Sequence, residues 1–171
     1  MYSEKFLEIF KNPINAGGLQ GANGVGKYVD PSCGDSIKIY LKIDENKTIM
    51  DAHFKALGGT ATIVAGSAMC SCLLDCTIEE ALNIDEERLC EVTGTFPADK
   101  TYAIDFAKKA LINAIENYKN NLEKELKKNP NKKVVKEEKP VKTEKPEVTP
   151  LVADRRNVSA AKAKFDEMFN L

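Results

Sequence analysis

A thiol and a carboxylate two residues apart are the strongest candidates for chemistry in this sequence. Cys33 and Asp35 stand in the stretch "PSCGD", between a glycine-rich segment and a run that alternates apolar and basic residues. Thiolates and carboxylates are both metal ligands, and the pattern places these two on a turn that leads into a strand. Asp35 has a second interpretation as a turn residue bonded to nearby backbone N–H groups, and an isolated turn cysteine is usually incidental.

The other four thiols are predicted to be small apolar side chains of the core. They are Cys70, Cys72, Cys76 and Cys90. Cys70 and Cys72 would point about 200° apart on a helix, because each residue turns by about 100°. Cys72 and Cys76 would share a face only if the helix continued, and the cap predicted at Thr77 argues against that. Free cysteine is among the most buried residue types, so packing is the expected role.

Composition excludes several classes of function. The chain has 171 residues with 25 basic and 26 acidic side chains, and this balance argues against a broad nucleic-acid surface. The longest apolar run, "ATIVAGSAMCSCLLDC", is too short to span a bilayer. No signal peptide is recognisable, and five cysteines without one indicate reduced thiols rather than disulfides. We therefore expect a cytoplasmic protein without nucleic-acid or membrane partners.

A conventional enzyme has little support either. The sequence shows no P-loop, no pairing of a nucleophile with a histidine, and no Gly-x-Gly-x-x-Gly motif after a strand. The glycine-rich stretch "GGLQGANGVG" follows a helix end instead. We expect a protein that is not an enzyme.

Periodicity predicts a sheet beside the candidate site. A short helix capped by Ser3 comes first, and a glycine-rich loop at residues 14–29 ends in a short edge strand. Residues 37–43 alternate as a strand, and after a turn at 44–47 a second strand returns antiparallel. The buried face of that second strand is predicted to hold Met50, Ala52, Phe54 and Ala56. His53, the only histidine, falls on the solvated face and is predicted to be a surface residue.

Helices are predicted for most of the chain after this hairpin. A buried helix covers roughly residues 60–75, because small and apolar residues stand on nearly every face. Thr77 with Glu80 matches a capping box, and Asp85 caps a further helix that Gly94 closes. The last helix shows the clearest apolar stripe, formed by Ile104, Ala107, Leu111, Ala114, Ile115, Tyr118, Leu122 and Leu126.

The chain divides into one domain at residues 1–128 and a polar tail. Residues 129–158 are rich in lysine, glutamate and proline, which predicts a disordered linker. Residues 159–171 then form a short amphipathic helix whose partner-binding side chains are predicted to be Phe165, Met168 and Phe169. This helix either folds back on its own domain or recruits another protein.

Taken in order, these segments resemble the IscU/NifU family of iron–sulfur cluster scaffolds. The matching stretches are "YSEKFLEIFKNPINAG", "CGDSIKIYLKID", "IMDAHFKALGG", "TIEEAL", "FPADK" and "AKKALINAIENYK", within about residues 2–120. No single motif is decisive, but the ordered series is specific. The resemblance implies an α+β fold, with a small antiparallel sheet of about three strands, helices packed on one face and a long C-terminal helix.

The family's cluster site contains three cysteines, an aspartate and a histidine, and this chain keeps only part of it. By resemblance, the first cysteine and the aspartate fall on Cys33 and Asp35. The second cysteine falls on Gly59. The family's histidine–cysteine pair falls on Tyr102 and Ala103. Two of the three thiolates and the histidine are therefore missing.

Partner-binding positions of the family are also partly kept. The lysine before the histidine–cysteine pair is present as Lys100. Of the two prolines by which Hsp70-type chaperones recognise some family members, Pro97 is kept and the second is Ala98. The partners that the resemblance implies are a cysteine desulfurase and other iron–sulfur assembly proteins.

The missing ligands limit what one chain can hold. Each iron of a two-iron cluster is tetrahedral and needs two protein ligands besides its bridging sulfides, so a cluster needs four donors. One chain offers Cys33 and Asp35, with weak help from Tyr102. We therefore expect iron or a [2Fe–2S] cluster to be bound weakly, or across a homodimer that pools two thiolates and two carboxylates. Cys33 could instead accept a persulfide or bind iron transiently.

Two functions compete at this point. One is iron–sulfur cluster assembly with a depleted metal site, for which Cys33 and Asp35 are retained. The other is a non-catalytic adaptor that docks assembly partners through Pro97, Lys100 and the end helices, while residues 159–171 recruit another protein. Loss of ligands together with gain of a tethered helix favours the adaptor, but we take iron–sulfur cluster assembly with a depleted metal site as the main hypothesis and the adaptor as the alternative.

Overall fold

The computed structural model describes residues 2–128, and within them it shows a three-stranded antiparallel sheet and five α-helices. The strands are β1 (Gly24–Val29), β2 (Ser36–Ile43) and β3 (Ile49–Leu57), paired in that order. The helices are α1 (Glu4–Lys11), α2 (Thr60–Leu73), α3 (Ile78–Leu82), α4 (Glu86–Thr93) and α5 (Tyr102–Lys128). The expected α+β fold is confirmed.

The described part of the chain ends with α5. The predicted linker at residues 129–158 and the predicted helix at residues 159–171, with Phe165, Met168 and Phe169, lie outside the described residues. Among residues 2–128, no helix is both long enough and apolar enough to cross a membrane.

The core face of the sheet follows the alternation predicted for β2. Its core side chains, each no more than 5% exposed, are Ile37, Ile39, Leu41 and Ile43. On β3, Ala52 and Phe54 are buried opposite them as predicted, and Ala56 is half-buried. α2 and α5 pack on this face, so the opposite face of the sheet carries no helix among the described residues.

The prediction that Met50 faces the core is wrong. Ile43 of β2 pairs with Ile49 of β3. The preceding residue of β2, Lys42, pairs with Asp51, so Met50 is left without a partner in the register. This β-bulge inserts one residue into β3 and locally reverses the alternation. Ile49 is therefore fully buried, whereas Met50 is 53% exposed.

α5 buries a broader stripe than the sequence predicted. The predicted side chains from Ile104 to Tyr118 are buried, whereas Leu122 and Leu126 are half-buried. Three further residues of the helix are buried: Ala103, Phe106 and Ala110. Because α5 packs against β1 and β2 on one flank and α2 on the other, two stripes are covered instead of one.

Two glycines let β1 lie directly against α5. A Cβ atom on Gly26 would lie 2.1 Å from the backbone N of Ala114 and 2.2 Å from the carbonyl O of Ala110. A Cβ atom on Gly24 would lie 2.8 Å from the carbonyl O of Ala114. Any side chain at Gly26 would therefore push the strand away from the helix.

The outer edge of β1 is covered by a row of side-chain amides on α5. Asn113, Asn117 and Asn121 stand four residues apart, which places them on one face of the helix. Asn117 Oδ1 accepts a hydrogen bond from the Val25 N–H (3.1 Å), and Asn113 Nδ2 donates to the Lys27 carbonyl O (2.9 Å). These bonds satisfy edge groups that could otherwise pair with another strand.

The predicted helix ends are largely confirmed. Side-chain caps are present at Ser3, Thr77 and Asp85, and Gly94 ends α4 with a φ of 75°, a conformation that favours glycine. α2 ends at Leu73, two residues earlier than predicted.

Candidate metal centre

The turn between β1 and β2 presents Cys33 to solvent. The Asp30 N–H donates to the Asp35 carbonyl O (2.8 Å), and the Gly34 N–H donates back to the Asp30 carbonyl O (2.9 Å). Gly34 has a φ of 78°, which lets the chain reverse within these residues. The thiol of Cys33 is exposed at the tip of the turn.

A carboxylate that sequence reasoning missed lies next to this thiol. Asp30 Oδ2 accepts hydrogen bonds from the Cys33 Sγ (3.0 Å), from the Cys33 N–H (3.3 Å) and from the Ser32 hydroxyl. The hydrogen bonds from Ser32 and then Cys33 lower the pKa of Asp30, and the bond to Asp30 raises the pKa of the Cys33 thiol. Without a metal ion, Cys33 is therefore held as a protonated thiol beside a charged carboxylate.

The side chain of Asp35 is hydrogen-bonded to the start of α2. Its Oδ2 accepts a hydrogen bond from the hydroxyl of Thr62 (2.6 Å) and another from the Gly59 N–H (3.3 Å). Both bonds use the same oxygen, so Oδ1 has no hydrogen-bond partner among residues 2–128 and is available as a donor atom. The structure thus brings Asp35 and Gly59 together, as the resemblance implied.

Position 59 has room for a side chain. Gly59 precedes α2 with a φ of −71°, which any residue can adopt, and a Cβ atom there would meet nothing within 4 Å. The neighbouring Gly58 differs, because a Cβ atom on it would lie 2.5 Å from the Asp35 Cγ. A cysteine side chain would therefore fit at position 59, where this chain has glycine.

The remaining candidate positions lie at the start of α5. Tyr102 is 37% exposed, and its ring centroid is 5.2 Å from that of Phe106. Lys100 Nζ lies 5.9 Å from the Tyr102 ring centroid, and the electrostatic interaction with Tyr102 is the main cause of a raised Lys100 pKa. Ala103 is fully buried in the core. Pro97 is half-buried, immediately before the short 3₁₀ turn Ala98–Lys100.

None of these residues is hydrogen-bonded to Cys33 or Asp35 within the described part of the chain. Phe106 connects the start of α5 to β1, since its ring centroid lies 5.2 Å from that of Tyr28. Ala103 is buried and its methyl group cannot bind a metal ion. The position that the resemblance assigns to the third cysteine therefore supplies no ligand in this chain.

The other cysteines stay outside this centre. Cys70 and Cys72 are buried as predicted, and burial raises the pKa of both thiols. Cys76 and Cys90 are only partly buried, which is less than predicted. α2 ends before Cys76. The Sγ of Cys76 nevertheless donates a hydrogen bond to the Cys72 carbonyl O (3.2 Å). Cys72 and Cys76 line a cavity of about 450 Å³ beside Arg88.

Residues 2–128 do not form a complete metal site by themselves. Among residues 2–128, no group of three or more histidine, cysteine, aspartate or glutamate side chains is arranged to hold a metal ion. At the turn the thiol of Cys33 contacts one carboxylate, that of Asp30, whereas a cluster needs four donors and prefers thiolates. The turn thus presents one thiol and one adjacent carboxylate, which is part of the donor set that an iron ion would need.

Comparison with known proteins gives a consistent match over the same residues. The family described as "NifU-like N terminal domain" matches residues 1–125. An iron–sulfur cluster assembly scaffold protein IscU of Archaeoglobus fulgidus is 38% identical over 118 residues, covering 69% of this chain and 76% of the relative. A protein of the same description from Aquifex aeolicus is 35% identical over 118 residues, covering 68% of this chain and 75% of the relative.

A solved structure supports the fold independently. The N-terminal part of a nitrogen-fixing NifU-like protein from Brucella abortus superposes with a TM-score of 0.57 at 16% identity. The match covers 69% of this chain and 94% of that one.

Proposed function

The chain belongs to the family of NifU-like N-terminal domains, and on that basis we propose that it serves in iron–sulfur cluster assembly as a scaffold with a depleted ligand set. The relatives from Archaeoglobus and Aquifex bear the description of assembly scaffolds, and the alignment spans three quarters of each. The partners proposed with this role are a cysteine desulfurase and other iron–sulfur assembly proteins.

The observation that carries the proposal is the state of the β1–β2 turn. Cys33 is the exposed thiol of the chain's described part, its Sγ is hydrogen-bonded to Asp30, and Asp35 follows two residues later in the sequence. Four other cysteines are buried or half-buried away from that turn. Cys33 keeps a thiol at a ligand position of the family, and its exposure leaves it accessible to a metal ion or to the persulfide of a partner.

Iron is the cargo in this proposal, and two copies of the chain supply its ligands. Two Cys33 thiolates and two Asp35 carboxylates make the four donors that a two-iron cluster requires. Asp35 can contribute Oδ1 while Oδ2 stays bonded to Thr62. Because the four donors come from the two β1–β2 turns, the proposed contact between copies brings these turns together, and the covered edge of β1 disfavours pairing of two sheets through that strand.

An exposed thiol also suits sulfur transfer. In that step the Cys33 sulfur attacks the outer sulfur of a desulfurase persulfide, the new S–S bond forms on Cys33, and the desulfurase thiolate leaves. The proton on Cys33 passes to the departing desulfurase thiolate, which is a stronger base than the Asp30 carboxylate because hydrogen bonds lower the pKa of Asp30.

Anaerobic reconstitution with ferrous iron and sulfide tests the proposal. The full chain is expected to develop visible charge-transfer absorption that Cys33→Ala abolishes. Cys90→Ala removes a half-buried thiol outside the turn and serves as the matched control, with absorption unchanged. Absence of colour in the unmodified chain, or colour that survives Cys33→Ala, would contradict a ligand role for Cys33.

A further inference from the structure

The face of the sheet turned away from the helices carries a row of three lysines. Lys27 of β1 lies directly opposite Lys38 of β2, which lies directly opposite Lys55 of β3. Residues opposite each other in an antiparallel sheet project to the same side, so all three project from this face. We call Lys27, Lys38 and Lys55 the lysine row.

This arrangement carries an energetic cost within the described domain. Like charges directly opposite each other destabilise a sheet, and no member of the row forms an ion pair within 4.0 Å among residues 2–128. The ammonium groups of Lys38 and Lys55 lie 5.1 and 5.9 Å from the ring centroid of Tyr40, so two charges gather over one aromatic ring. The charge is concentrated and lacks a carboxylate partner there.

Apolar side chains border the lysine row on the side nearest the candidate metal centre. Val29 lies opposite Ser36, and Ser36 lies opposite Leu57, so these three form the next row on the same face. Val29 is 46% exposed and Leu57 is 73% exposed. On the other side of the lysine row stands the row of Val25, Tyr40 and His53. The face therefore offers a positive band between two bands with apolar surface.

We propose that this sheet face binds a helix of a partner protein that carries an acidic stripe, laid across the strands along the lysine row. Neighbouring strands lie about 4.8 Å apart, so the three lysines span roughly 10 Å. Seven residues of an α-helix also rise about 10.5 Å, so carboxylates at positions i, i+3 or i+4, and i+7 match the spacing of the row. Apolar side chains beside that stripe contact Val29 and Leu57.

The apolar borders distinguish this partner from other polyanions. A phosphate backbone would engage the lysines but would leave the exposed Leu57 and Val29 without a matching surface. An amphipathic acidic helix satisfies both features in one contact. The inference goes beyond the cluster chemistry, and its test needs no metal ion, so its failure would leave the proposed function standing.

The probe is a synthetic amphipathic helical peptide that carries glutamates at positions i, i+3 and i+7, with leucines on both sides of this acidic stripe. Its control is a peptide of the same composition in which the glutamates are spread around the helix. Binding to the full chain is measured by fluorescence anisotropy at physiological salt. The striped peptide is expected to bind about tenfold more tightly than the control, as three partly exposed ion pairs would give.

Matched variants locate the contact. Changing Lys27, Lys38 and Lys55 together to Gln is expected to weaken binding of the striped peptide about tenfold. The control variant changes the exposed Lys11, Lys119 and Lys124 to Gln and removes the same net charge elsewhere, with less than about a twofold effect. Circular dichroism verifies the fold of both, and Lys38→Gln alone replaces the first variant should it unfold.

Three results would overturn the inference. Equal losses in both variants would assign the binding to net charge. Equal affinity for the striped and the control peptide would show that the spacing of the glutamates does not matter for binding. Tighter, row-dependent binding of a short duplex DNA or of anionic phospholipid vesicles would assign the face to another class of partner.

Discussion

The Sγ of Cys33 donates a hydrogen bond to Asp30 Oδ2 across 3.0 Å, within the turn that joins the first two strands. This contact adds a carboxylate to the proposed site at Cys33 and Asp35. It also makes the thiol less acidic, because the Asp30 bond is the main cause of the raised Cys33 pKa. Cys33 is therefore a protonated thiol that would have to lose its proton in order to bind a metal ion.

Replacing Asp30 with Asn is expected to speed alkylation of Cys33 near neutral pH. The carboxylate raises the Cys33 pKa, so its removal lowers that pKa and increases the fraction of thiolate at a given pH. The measurement is the rate of iodoacetamide labelling of Cys33 across a pH series from mildly acidic to alkaline, followed by peptide mass spectrometry. The midpoint of the rate profile should move to lower pH.

Glu116→Gln, an exposed change on α5, is the control for that experiment and should leave the profile in place. A midpoint that stays fixed in Asp30→Asn, or moves to higher pH, would show that Asp30 does not set the state of the thiol.

Gly59→Cys is expected to strengthen metal binding. Position 59 has an ordinary φ, open space for a Cβ atom and a backbone N–H bonded to Asp35 Oδ2, so a thiol there stands beside the retained aspartate. Iron retained after anaerobic desalting should rise in this variant. Gly59→Ser, which has nearly the same size but no thiolate, should not show the increase, and equal retention in the two variants would argue against a site at this position.

Gly26→Ala is expected to destabilise the domain by about 3 kcal/mol or more, since overpacking against backbone cannot relax by a rotamer change. The added Cβ atom would lie 2.1 Å from the Ala114 N. Gly59→Ala is the matched control and should cost about 1 kcal/mol or less, as expected of an alanine before a helix. Urea denaturation measures both, and similar losses would show that β1 is not held tightly against α5.

Asn117→Ala is expected to cost about 1–2 kcal/mol, because it leaves the half-buried Val25 N–H without its acceptor. The exposed Asn120→Ala change on the same helix should have little effect. Denaturation midpoints of the two variants can be compared directly. A neutral Asn117→Ala would mean that water replaces the amide at the edge of β1.

Local patterns predicted most of the fold. Alternation in β2, the capping box at Thr77 and the glycine that ends α4 each depend on residues close in sequence, and each is confirmed. The exposure of Met50 was not predictable in this way, because a bulge depends on the register between two strands, which the sequence of one strand does not determine. The second buried flank of α5 likewise depends on which elements pack around it.

The site was predicted less completely than the fold. Asp30 starts an aspartate–proline turn, and aspartate side chains in turns bond to groups two or three residues ahead, so a signal was present. The sequence did not predict that Asp30 Oδ2 would also accept a hydrogen bond from the Cys33 thiol, in addition to the bond from the backbone N–H. The bond between Thr62 and Asp35 joins residues 27 positions apart and depends on how α2 packs at the end of the sheet.

The mass and iron content of the reconstituted, coloured protein show whether one chain supplies too few donors for a two-iron cluster. Anaerobic size-exclusion chromatography with light scattering, followed by iron and sulfide analysis, gives both quantities on one sample. We expect the cluster absorption to travel with a dimer that holds about two irons per two chains. A monomer that holds two irons and two sulfides would contradict the shortage of donors.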